Sequence, residues 1–68
     1  MLMSGAGRAA RLHYLPGTFR LLTEGDHVIC AVTGATIPLH EVRYWSVERQ
    51  EAYVDARASL EAEQRSSR

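Results

Sequence analysis

The best metal-like set of this 68-residue sequence is His27, Cys30 and His40, with Asp26 beside them. Zinc asks for about four such ligands on a tetrahedral shell. His27 and Cys30, however, stand three apart in the run HVICAV, whose β-branched residues predict a strand. Residues three apart in a strand point to opposite faces. The spacing therefore predicts solvent-facing histidines, with no metal and no cofactor. As a nucleophile, Cys30 would need a neighbouring base or cation and some exposure. Inside an apolar run it reads instead as a small buried hydrophobe. Glu48, Glu51 and Asp55 suggest acid–base work only if they converge, and at helical spacing they read as a solvated face. The TGAT turn at 33–36 lacks the glycine-rich run and the lysine of a phosphate loop. A nucleophile elbow and a dinucleotide fingerprint are both missing from the sequence. A chain this short has little room for a deep pocket. The expectation is a protein that is not an enzyme, with no catalytic residues.

A different cluster points to recognition. Arg43, Tyr44, Trp45, Arg49, Gln50 and Tyr53 concentrate the residue types that dominate binding hot spots. They bury large areas while keeping polar ends. The plainer alternative makes Trp45 and Tyr53 core residues with arginines laid over them. These six form the candidate partner-binding set.

The elements that must position them follow from pattern. RLHYL alternates, with Leu12 and Tyr14 on one face and His13 and Leu15 on the other. Pro16-Gly17 suits a type II turn. TFRLLT then alternates again, with Phe19 and Leu21 opposite Arg20 and Leu22, completing a hairpin. Glu24-Gly25-Asp26 turns the chain into HVICAV, and Thr33-Gly34 turns it once more. Thr36-Ile37 is a short extended piece, and Pro38 favours a strand end because it lacks an N–H. VRYW reads as a last short strand or as the loop that delivers a helix. Ser46 is a suitable N-cap, with Glu48 and Glu51 near the positive end of the helix dipole. From Val47 to about Gln64 the residues favour helix, and Val47, Val54 and Ala58, flanked by Tyr53 and Leu60, make a narrow apolar stripe. Leu12, Tyr14, Phe19, Leu21, Val28, Cys30, Ile37, Val54 and Leu60 are the expected core.

Composition bounds the rest. The hydrophobic share is 46%, ordinary for a globular chain. One cysteine cannot form an internal disulfide, which fits a reducing, cytoplasmic setting. No apolar run reaches the length of a membrane span, and the N-terminus lacks the apolar stretch of a signal peptide. Eight basic and eight acidic residues cancel, which argues against binding nucleic acid mainly through its phosphates. All eight basic residues are arginine.

From about Leu12 onward the chain resembles a family of short bacterial proteins, domain of unknown function 2093. The likeness rests on YLPGTF at 14–19, GDHVICAVTGATIPL at 25–39 and RYWSVERQEAY at 43–53. It implies no activity and no cofactor. A second pattern is similar to the C-x-x-C-G-x-x-I-P knuckle of small zinc ribbons in bacterial transcription regulators. It matches at Cys30, Gly34, Ile37 and Pro38, with Thr33 where the second cysteine would stand. One strong ligand of four does not support a zinc site. The same turn would then be held by hydrogen bonds from the Thr33 hydroxyl.

The expected architecture is α+β: a small antiparallel β-meander of three to four short strands followed by one C-terminal α-helix. Residues 1–9 are expected to form a disordered tail, 10–64 a single domain and 65–68 a frayed end. The expected function is a non-catalytic protein–protein interaction module. Its partner is an unidentified protein or a second copy of the chain, met through the junction around Tyr44, Trp45 and Arg49. The alternative is nucleic-acid or transcription-associated binding on a metal-free scaffold like a zinc ribbon.

Overall fold

A computed structural model describes residues 7–66. The architecture is α+β, as expected, with one C-terminal helix. Among the described residues six strands form three separate two-stranded antiparallel sheets rather than one short meander. Of the two expected tails, residues 1–6 and 67–68 lie outside the described residues.

The first hairpin joins β1 (Arg11–Leu15) to β2 (Thr18–Thr23). Gly17 has φ 80°, the conformation a type II turn needs at its second central residue. The two-residue loop puts Leu15 opposite Thr18 and Tyr14 opposite Phe19. Leu12 and Tyr14 are buried and Arg11 and His13 exposed, as the alternation predicts. Near the open end the register shifts, so that Leu22 is an extra residue in β2.

The second hairpin pairs β3 (His27–Ile29) with β4 (Thr36–Pro38). HVICAV is therefore strand only over its first three residues. Cys30 begins a tight loop, closed by Cys30 N–H to Ala35 C=O at 2.8 Å and Gly34 N–H to Cys30 C=O at 3.0 Å. The chain entering β1 runs alongside: Ala10 N–H donates to His27 C=O at 2.6 Å, and Asp26 N–H to Arg8 C=O at 3.0 Å. A side chain at Gly25 would collide with the backbone of Ala9 and Ala10, so glycine is required by that close approach. Ala9 also forms an isolated parallel bridge with His27.

The third hairpin corrects the main expectation. β5 (Tyr44–Ser46) and β6 (Glu51–Tyr53) pair across a loop at 47–50, where a helix was expected to begin. Ser46 caps that loop, accepting the Arg49 N–H at 3.0 Å, and not the helix. α1 runs from Ala56 to Ser66, and Asp55 is its N-cap: its Oδ1 accepts the Ala58 N–H at 2.8 Å. The reason is burial. Ala52 and Tyr53 are adjacent and both nearly inaccessible. Successive residues face opposite ways only in a strand, so β6 presents Ala52 to the other hairpins and Tyr53 to the helix.

The buried core comprises Ala10, Leu12, Tyr14, Val28, Cys30, Ile37, Val42, Ala52, Tyr53, Ala58 and Ala62. Phe19 and Val54 pack against it. Leu21 and Leu60, both expected inside, are 51% and 58% exposed. The helix instead turns Ala58 and Ala62, one turn apart, towards the sheet, and Val47 lies in the exposed loop.

Candidate functional site

Trp45 is where the hairpins meet. Its indole N–H donates to Leu15 C=O at 2.9 Å. Its ring stacks on Tyr14 at 6.0 Å and meets Phe19 edge-on at 5.6 Å. Next to it, Gln50 lies in the left-handed region at φ 54° and turns its amide onto β1. The amide accepts the Tyr14 N–H at 2.9 Å and donates to Tyr14 C=O at 2.8 Å. In a two-residue hairpin the pair beside the turn is hydrogen-bonded and the next is not. Tyr14 therefore turns its backbone away from β2, and the Gln50 amide takes the place of a third strand.

Arg49 and Tyr53 are tied within the chain as well. Arg49 donates from Nε and Nη2 to the Tyr53 hydroxyl at 3.2 and 3.0 Å, and that hydroxyl donates to Glu51 Oε2 at 2.8 Å. Glu51 and Glu63 lie 3.5 and 3.7 Å from the guanidinium. Burial and the Glu51 carboxylate raise the Tyr53 pKa, against the pull of Arg49. Of the six candidate partner-binding residues, Trp45, Arg49, Gln50 and Tyr53 thus bond within the fold. Arg43 and Tyr44 are exposed to solvent.

The metal-like residues separate. His27 Nδ1 is 2.6 Å from Asp26 Oδ1, whose other oxygen accepts the Gly7 N–H at 2.8 Å. His40 is exposed beside Glu41. Among the described residues no group of three histidine, cysteine or acidic side chains is placed to hold a metal. Cys30 is buried, and the Thr33 N–H points at its sulfur at 3.4 Å. Burial pushes its thiol pKa up, but the Thr33 side chain, with the N–H groups of Thr33, Val32 and Val54, outweighs that and lowers it. The Thr33 hydroxyl accepts the Ala35 N–H at 3.1 Å, so this loop is held by hydrogen bonds.

The feature the sequence did not single out is an open groove of about 540 Å³ along β1. Leu22, Ile29 and Glu51 line it together with Arg11 and His13. Leu22 is 61% and Ile29 47% exposed. The signal was present in the alternation of both strands, which left Leu22 on the face opposite Phe19. The register shift and the joining of the segment before β1 to β3 were not legible.

No helix among the described residues is long and apolar enough to cross a membrane. No curated protein and no solved structure matches the chain. Residues 21–62, from the end of β2 into α1, match the family described as an uncharacterized protein conserved in bacteria. The chain belongs to that family, domain of unknown function 2093.

Proposed function

We propose that this protein is a non-catalytic protein-interaction module whose recognition surface is the groove beside β1. The observation that carries this reading is the exposure of Leu22 and Ile29, both of which line it. Apolar side chains gathered at a concave strip mark contact surfaces more often than isolated ones do. The polar groups of the junction support it from the other direction. Arg49, Gln50, Glu51 and Tyr53 are engaged with one another or with the backbone. The alternative, nucleic-acid binding through Arg43 and Arg49, draws little support from a guanidinium flanked by two carboxylates.

The test is affinity capture from nuclease-treated bacterial lysate, with wild type, Leu22→Glu/Ile29→Glu and Arg43→Ala/Tyr44→Ala as baits. A protein held by the wild type and the Tyr44 variant but lost from the Leu22 variant is the expected result. Loss from the Tyr44 variant instead would return the surface to the junction.

A further inference from the structure

Charge is divided unevenly along this neutral chain. Residues 1–23 contain Arg8, Arg11 and Arg20 and no carboxylate, and all eight acidic residues lie from Glu24 onward. The first hairpin concentrates the positive charge on its solvent face. His13 and Arg20 are direct cross-strand partners, and Arg11 is two residues from His13 on the same side. All three are exposed. Arg8, Arg11 and Arg20 make no ion pair among the described residues.

Arg11 and His13 of this face line the groove, and Arg20 stands across the hairpin from His13. The one acid lining the groove, Glu51, is already held by Arg49 and the Tyr53 hydroxyl, so its charge is compensated from within. The alternation that frees the Tyr14 backbone also turns Leu12 N–H and C=O away from β2, because Leu12 opposite Leu21 is likewise a non-hydrogen-bonded pair. Among the described residues, Leu12 makes no backbone bond to another hairpin, whereas Ala10 and Tyr14 on either side do. The strip thus offers the free backbone of Leu12, two aliphatic side chains, two arginines and a histidine.

We propose that the groove binds an extended acidic segment of a partner protein, one that alternates carboxylate with aliphatic side chains. Its backbone lies along β1 at Leu12, its aliphatic residues rest on Leu22 and Ile29, and its carboxylates meet Arg11, His13 and Arg20. Strand addition supplies main-chain bonds, and alternate side chains supply selectivity. Arginine forks pair bidentately with carboxylates. The apolar lining favours a peptide over a nucleic-acid backbone, which offers phosphates but no aliphatic groups. This rests on the groove being the recognition surface.

The test is titration of the isotopically labelled full-length protein, followed by amide NMR shifts, with four probes. They are a short peptide alternating glutamate and leucine, its glutamine and lysine counterparts, and a mixed-sequence RNA. The expected result is movement at Arg11–Tyr14, Leu22 and Ile29 with the glutamate peptide. Arg11→Gln/Arg20→Gln, both on exposed positions, weakens it roughly tenfold, and added salt weakens it further. Equal binding of the glutamine peptide overturns the acidic preference while leaving the groove as a protein-binding surface. No movement at the groove with any peptide overturns both. Tighter binding of the RNA at the same residues overturns the peptide in favour of nucleic acid. Concentration-dependent shifts of the protein alone, pairing the groove with α1, would assign it to a second copy instead.

Discussion

Gln50 holds a backbone conformation that L-residues adopt at a cost of about 1–2 kcal/mol. Its amide offsets that cost with bonds to Tyr14 N–H, Tyr14 C=O and Val47 C=O. Gln50→Ala keeps the strained φ and leaves a partly buried backbone pair unmatched, so it is expected to destabilise by roughly 1–3 kcal/mol. Gln50→Gly loses the same bonds but relaxes the φ, and is expected to cost less. Equilibrium urea denaturation of both variants separates the two effects. Equal losses would show that the conformation is not strained, and no loss in either would remove the amide from the docking of β1. The sequence marked Gln50 as a contact residue on its type alone. That an amide side chain would substitute for a strand was not legible, because the vacancy it fills is created by a hairpin more than thirty residues away.

At the scale of elements, the stretch 46–56 shows how propensity yields to packing. Glu48, Arg49, Gln50 and Glu51 favour helix by only a few tenths of a kcal/mol each. Burying Tyr53 is worth more, on the order of 2 kcal/mol. The chain therefore turns at 47–50, makes β6, and begins its helix only at Ala56. The expected outcome is that Asp55→Ala lowers helical ellipticity and costs about 1 kcal/mol. Ser46→Ala should leave the helix signal unchanged while weakening the β5–β6 turn. Far-UV circular dichroism with thermal melts checks both, and a loss of helix on changing Ser46 would restore it as the cap. Asp55 is as good a cap by type as Ser46, so residue type alone did not decide between them. Elsewhere the local signals were sufficient: the Pro16-Gly17 turn, the alternation of β1 and the short extended piece at Thr36-Ile37 stand as read.

At the scale of the whole molecule, the described residues are assembled from three hairpins that are each marginal alone, with α1 packed against the third. A few bonds join them: Ala31 N–H to Ala52 C=O at 2.9 Å, Trp45 to Leu15, Gln50 to Tyr14 and Ala10 to His27. Asp26 adds a staple, because it accepts from Gly7 and from His27 at once. The Gly7 N–H, and then His27, hold its carboxyl below the ordinary value of 3.8. A carboxylate depressed on folding adds stability above its unfolded pKa and loses it as the pH falls through the lower folded value. The wild type is therefore expected to exceed Asp26→Asn in urea midpoint near neutrality. The gap should be fully present above pH 3.8 and close on the acid side of it. A gap that persists in acid would show that the carboxylate charge is not what joins the N-terminal segment to β3.

Sequence by itself determined what depends on neighbours in the chain. The α+β class, the first hairpin with its inward Leu12 and Tyr14, the burial of Cys30 and the strand end at Pro38 follow from residue type and a period of two. Tertiary structure alone decided the rest. It made Trp45 and Gln50 the joint between hairpins, gave Arg49 its two carboxylates, and joined the segment before β1 to β3, with Leu22 and Ile29 lining one groove. The physical reason is that these pairings join positions far apart in the chain. Their free energy comes from surfaces that exist only once each hairpin has formed.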